Sequence, residues 1–306
     1  MSVTPRHRFA FHAMAGEHEL MVCGASDTAA RRAADAAIAD VARIEAKYSR
    51  YRNDSVTTRI NRAAGGVSVP IDAETAALLH YADRCFALSD GKFDITSGVL
   101  RRVWDFRAAS PRLPDAHALA SARALIGWRD VEWDDNAIRL PRAGMEVDFG
   151  GLGKEYAADR MATICREHGI DSGLVNLGGD VRAIGAQPDG APWRIGIRNP
   201  RAPDRAVAGV DVVDAAVATS GDYERFVLID GVRYCHLLDP ATGMPVSHWR
   251  SISVVAPLCI VAGSLATIAM LLEARAEAFL HAQGASWLAI DAAGAVTRSA
   301  TMPWRT

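Results

Sequence analysis

The stretch from Thr219 to Pro245, TSGDYERFVLIDGVRYCHLLDPATGMP, sets an imidazole, His236, three residues ahead of a carboxylate, Asp239. Thr219-Ser220-Gly221-Asp222 reads as a glycine-containing turn, followed by two short β-like runs, Arg225–Ile229 and Arg233–Leu238. Asp230-Gly231 between the runs is a strong hairpin signal. Asp239-Pro240 and Thr242-Gly243 are turn formers, so the hairpin ends against a stiff corner. Imidazole, with an unperturbed pKa of about 6.5, can take up a proton at neutral pH. The stretch therefore holds a proton acceptor still, and it equally describes a surface hairpin with a structural histidine. Asp239 can orient His236 or cap the turn that follows.

A second chemical stretch follows Asp148: Phe149-Gly150-Gly151-Leu152-Gly153-Lys154, leading into a helix expected from about Glu155 to Glu167. Glycines at a helix start let backbone N–H groups approach an anion, and Lys154 can neutralise a phosphate. The run is not a Walker sequence, because Glu155 stands where Ser or Thr is needed and Asp148 where the first glycine belongs. An ordinary turn, with Lys154 paired to a neighbour such as Glu155, fits the same residues. In Gly91-Lys92-Phe93-Asp94-Ile95-Thr96, Asp94 can accept hydrogen bonds from a ligand, or the loop can simply be packed by its own aromatics. Gly263 and Thr267 are four apart and share a helix face. By default the Thr267 hydroxyl bonds back to a carbonyl.

The elements that must position these groups point to an α+β domain. Phe9–Met14 and Glu19–Cys23 read as strands, and Asp27 to about Lys47 as a long amphipathic helix with Ala34, Ile38, Val41 and Ile44 on one stripe. Asn53-Asp54-Ser55 and Asp72 read as caps opening two further helices. Short strands are expected at Val131–Trp133, Ala137–Leu140 and Met145–Val147, and again at Gly173–Leu177, Arg182–Ile184, Trp193–Ile197 and Val207–Val213. A strand at Ile252–Ala256 precedes a helix from about Val261 to Leu272. Strands clustered in hairpins and separated by helices favour α+β over a doubly wound parallel sheet. One domain is expected over residues 8–300, with short tails at 1–7 and 301–306.

Half of the 306 residues are apolar, enough to bury a substantial core. A net charge of −2 argues against a nucleic-acid partner held by the overall field. No single apolar run approaches the roughly 20 residues that a membrane span needs. The five scattered cysteines read as buried thiols in a reducing compartment. With no secretory signal read at the start, a cytoplasmic location is expected.

Taken in order, the motifs resemble the FAD:protein FMN transferases, the ApbE family. The resemblance rests on Met14, Tyr48-Ser49-Arg50-Tyr51 with Asn61, Gly91–Thr96 with Trp104 and Phe106, and Asp148 to Lys154 with Tyr156 and Asp159. It continues through Asn176-Leu177-Gly178-Gly179-Asp180, Trp193 with Ile197-Arg198-Asn199-Pro200, Thr219–Tyr223, and His236 to Pro245. It implies an ApbE-like fold of largely antiparallel sheets flanked by helices. It also implies an enzyme that passes the FMN half of FAD to a Thr or Ser hydroxyl of a partner flavoprotein and releases AMP. By position, Met14, Tyr51, Lys92, Phe93, Asp94, Asp148, Lys154 and Leu238 would contact FAD. His236 would be the base, with Asp239 and Lys154 completing the catalytic set. Mg²⁺ would be held by the Gly151 carbonyl and by an Asp and a Thr four residues apart. Here the Thr is Thr267, but Gly263 stands in place of the Asp, and Glu155 stands where the family usually has Gly. Losing a carboxylate weakens a Mg²⁺ site, so Gly263→Asp is expected to raise metal affinity. The alternatives are an FAD pyrophosphatase giving FMN and AMP, and a flavin-binding protein without catalysis.

Overall fold

The computed structural model describes residues 4–305. Its centre is an eight-stranded sheet in which every pairing is antiparallel and chain order is also sheet order. The strands are β1 (Arg6–Ala13), β2 (Gly16–Cys23), β3 (Gly173–Leu177) and β4 (Asp180–Ile184). Beyond them lie β5 (Ala216–Gly221), β6 (Trp249–Ala256), β7 (Ser286–Asp291) and β8 (Val296–Arg298). Alternation along each strand divides the molecule into two cores. Leu20 and Val22 enter the larger one, Met21 and Cys23 the smaller.

The larger core lies under four helices, α1 (Asp27–Tyr48), α2 (Ala73–Leu88), α3 (Gly153–Glu167) and α4 (Cys259–Leu272). The smaller is closed by a three-stranded sheet of Trp193–Asn199, Ala202–Val212 and Trp304–Arg305. Ser55 and Asp72 cap helices as expected, each side chain accepting from the N–H three residues on. All five cysteines are buried and unpaired.

Four expectations change. The turn placed at Thr219–Asp222 is largely strand: Thr219 and Ser220 lie in β5 opposite Ser253 and Ile252, so Gly221 ends a strand instead of opening a turn. Met145–Val147 is not a strand, because the Val147 main chain is clamped in both directions by the Asn61 side chain. The expected tails carry structure: Arg6 and His7 begin β1, and Trp304 and Arg305 pair with Val210 and Gly209. Residues 1–3 and 306 lie outside the described residues.

The last change concerns apolar length. Cys259–Ala282, taken as one 24-residue segment, is long and apolar enough to cross a membrane by composition. In the fold it breaks at Glu273, where φ is +50°, and α4 packs on β5 and β6. At about 1.5 Å per residue, α4 alone falls well short of a membrane's apolar thickness. A helix apolar all round is what a buried core position demands.

Candidate active site

The N-terminus of α3 is assembled from the turn that precedes it. Asp148 Oδ1 accepts from the Gly150 N–H at 2.9 Å, and Oδ2 is ion-paired with Arg50. The N–H groups of Leu152 and Gly153 both donate to the Phe149 carbonyl, at 2.9 and 2.8 Å. No side chain caps α3, and with the Gly153 N–H spent on Phe149 it is the Lys154 N–H of the first turn that remains for an anion. Gly151 is exposed, and a Cβ there would lie 3.4 Å from the ring of the buried Phe93.

Lys154 pairs with Asp180 at 2.6 Å, not with Glu155. Its ammonium lies against the Gly178-Gly179 turn, whose φ values of +62° and +98° favour glycine. Burial alone would lower the Lys154 pKa, but the carboxylates of Asp180 and Glu155 reverse the effect and raise it. Lys154 is a permanent cation beside an uncapped helix start.

The predicted hairpin is present, with strands Phe226–Ile229 and Val232–Cys235 and positive φ at both Asp230 and Gly231. His236 follows its second strand. The His236 N–H donates to the Arg225 carbonyl at 3.0 Å, and Nδ1 lies 3.2 Å from the same oxygen. A carbonyl only accepts, so Nδ1 carries the ring proton and Nε2 keeps its lone pair. Burial, reinforced by the Arg225 charge, pulls the ring pKa down to about 4, against the pull of the Arg225 carbonyl. Lys154 is near enough for its charge to act in the same downward direction. The imidazole is neutral at pH 7.

Asp239 does not touch His236. Its Oδ2 accepts from Lys92 Nζ at 2.5 Å and its Oδ1 from the Ala241 N–H at 2.9 Å. It therefore caps the turn and holds Lys92. Two further contacts fasten the same corner: Trp104 Nε1 donates to the Gly243 carbonyl at 2.8 Å, and Arg123 donates to the Ala241 carbonyl. Leu238 bridges to Pro245 across it. Trp104→Phe keeps an aromatic side chain, though a smaller one, and leaves a buried carbonyl without its donor, so we expect at least about 1–3 kcal/mol of destabilisation, read by urea unfolding.

The remaining sequence-derived residues divide. Met14 and Ala15, at φ +48° and +62°, form the two-residue β1–β2 turn. The Tyr51 ring is exposed under the Arg50 guanidinium, and its hydroxyl accepts from Arg50 at 3.1 Å. Asp94 also serves its own loop. Its carboxylate accepts from the Thr96 N–H and hydroxyl at 2.7 and 2.6 Å and from the Trp128 N–H at 3.2 Å. It is buried, and three of its acceptor positions are taken by the loop. Arg50 and Asp180 are site residues that sequence reasoning quoted within motifs but gave no role. His18 was missed entirely: it is buried near Lys154 and Gly178, and its Nε2 donates to the Ala13 carbonyl, bracing the Met14 turn.

For the expected Mg²⁺, the question is which oxygens are available. Thr267 bonds to Ser220 on β5 at 2.8 Å, not back to a carbonyl. A Cβ on Gly263 would lie 2.6 Å from Glu155 Cγ and 3.0 Å from its Oε1. Glu155 Oε2 is buried without a hydrogen-bond partner. Burial, with Asp180 nearby, pushes the Glu155 carboxyl up to about 7. A Gly263→Asp side chain would therefore meet Glu155 and could be seated only if the glutamate swings to another rotamer. No three His, Cys, Asp or Glu side chains gather as a metal cluster among the described residues. The donors left are the Gly151 carbonyl, the Thr267 hydroxyl and the Glu155 carboxylate. All are hard oxygens, and with water they fit Mg²⁺.

Fold and site together define an α+β protein that sets an uncapped helix start and a fixed lysine beside a neutral imidazole. The chain belongs to the ApbE family, whose model matches residues 14–289. It is similar to an ApbE protein of Thermotoga maritima, with 32% identity, a TM-score of 0.89, and coverage of 97% of this chain and 98% of that one. It also resembles the flavinyl transferase ApbE of Pseudomonas stutzeri, with 28% identity, a TM-score of 0.86, and coverage of 97% and 95%. The FAD:protein FMN transferase of Treponema pallidum is 34% identical over 245 residues, 74% of this chain and 68% of the relative.

Proposed function

We propose that this protein transfers FMN from FAD to a Thr or Ser hydroxyl of a partner flavoprotein, releasing AMP. The observation that carries the reading is His236: a neutral ring, protonated on Nδ1, with a free Nε2 lone pair and Lys154 close by. The Lys154 N–H at the start of α3 and the Lys154 ammonium hold the pyrophosphate. Nε2 takes the proton of the acceptor hydroxyl as its oxygen attacks the FMN phosphorus. The new O–P bond forms as the bond to the bridging oxygen breaks, and AMP leaves with the electron pair. Charge grows on that leaving group, so fixed cations and aimed N–H donors lower the barrier more than covalent chemistry does. A Mg²⁺ ion held by Gly151 and Thr267 would neutralise the same charge.

The test is to incubate the protein with FAD, Mg²⁺ and a flavoprotein acceptor, following AMP by chromatography and the acceptor by mass. Equal amounts of AMP and flavinylated acceptor are expected. AMP with unlabelled acceptor would mean a pyrophosphatase, and flavin binding without AMP a non-catalytic protein.

The ring works only when neutral, so activity holds as pH falls until His236 protonates. We expect the acid limb of kcat/KM near pH 4, because that parameter reports the free enzyme. Bound pyrophosphate, being anionic, stabilises the imidazolium and raises its pKa, so the acid limb of kcat should lie at higher pH. A kcat/KM limb at the unperturbed value of about 6.5 that persists in Glu155→Gln, and so is not the Glu155 carboxyl near 7, would contradict the neutral ring.

A further inference from the structure

We propose that Glu155 is the anionic ligand of the cation site, its carboxylate carried by α3 in place of one on α4. The proposal rests on the transferase reading and deepens it. The register of the two helices is fixed by Asp159, whose carboxylate accepts from the N–H groups of Cys259 at 2.8 Å and Ile260 at 2.9 Å. One turn back along α3 stands Glu155, and one turn on along α4 stands Gly263. They meet there: a side chain at 263 would begin 2.6 Å from Glu155 Cγ. A side chain at 263 and Glu155 in this rotamer therefore exclude each other. The glycine makes room for the glutamate.

The carboxylate so placed is otherwise unexplained. Glu155 Oε2 is buried with no donor, a condition that costs free energy unless a cation or proton compensates. It packs near Lys154, but that lysine is already paired with Asp180. On the helix face that Glu155 covers, Thr267 lies one turn beyond Gly263, and Gly151 precedes Glu155 by four residues. Glu155 and the Gly263 face of α4 share one seam, and a carboxylate there, with the Thr267 hydroxyl and the Gly151 carbonyl, would make a hard-oxygen donor set.

The test uses Mn²⁺ as probe, titrated into the full-length protein and read by electron paramagnetic resonance of the free ion. The isosteric variant Glu155→Gln should keep its thermal melt. Losing an outer-shell partner alone typically weakens metal binding about 10- to 100-fold, so losing a direct ligand should cost at least that. The paired exchange Glu155→Gly with Gly263→Asp returns a carboxylate to the same space from the other helix and should recover most of the affinity. Wild-type Mn²⁺ affinity in Glu155→Gln would overturn the assignment. So would a folded exchange variant that binds as weakly as Glu155→Gln. FAD binding, followed by flavin fluorescence on the same samples, separates the two claims. If wild-type protein fails to bind FAD, the transferase reading falls. If FAD binds and Glu155→Gln keeps its Mn²⁺, only the ligand assignment falls.

Discussion

His236→Ala should lower FMN transfer by about 10²–10⁴-fold, the range a positioned general base contributes, while FAD affinity stays unchanged. The ring is held by one bond from Nδ1 to the Arg225 carbonyl, and the His236 main-chain N–H donates to that same oxygen. Truncation therefore removes the lone pair on Nε2 but leaves the hairpin hydrogen bond in place. The corner beyond it is fastened independently by Lys92, Trp104 and Arg123. Single-turnover mass spectrometry of the acceptor measures the loss, and flavin fluorescence measures binding. Transfer at the wild-type rate would remove His236 from the chemistry.

Lys154→Met should affect two quantities that a second substitution can separate. Removing a fixed charge aimed at a developing anion costs about 10²–10³-fold in kcat. It also strands Asp180, whose side chain is 5% exposed. The loss should be about 1–3 kcal/mol, less than for a fully buried pair because Lys154 itself is 34% exposed. Adding Asp180→Asn removes the stranded charge and keeps an acceptor for the Thr219 N–H. The double variant should regain stability in urea unfolding and remain inactive. A double variant that recovers transfer would show that Lys154 only neutralises Asp180.

How far the chain could be read in advance follows from where each signal lives. Caps such as Ser55 and Asp72, the Asp230-Gly231 turn and the stripe of α1 are local, and they appear where expected. β5 was missed because Ala216–Gly221 is built of small residues that look like turn formers, and it becomes a strand only between β4 and β6. The partner of His236 is a main-chain carbonyl, which has no side-chain signature. The loop role of Asp94 could not be read, because an acid in a loop carries no mark of the Thr96 and Trp128 N–H groups that donate to it. Gly263 and Glu155 each read as a departure when taken alone. Only the packing of α3 on α4 brings the two positions together.

The central claim is that a dinucleotide lies with its pyrophosphate at the start of α3, against Lys154 and in reach of His236 Nε2. A crystal structure of the His236→Ala protein with FAD and Mg²⁺ tests it most directly, since the substrate should remain uncleaved. The account predicts phosphate oxygens on the Lys154 N–H in the first turn of α3 and on Lys154 Nζ, with the vacated imidazole position facing the FMN phosphorus. FAD seated elsewhere, for example in the cleft lined by Asp83, Phe86, Trp128 and Trp133, would contradict it.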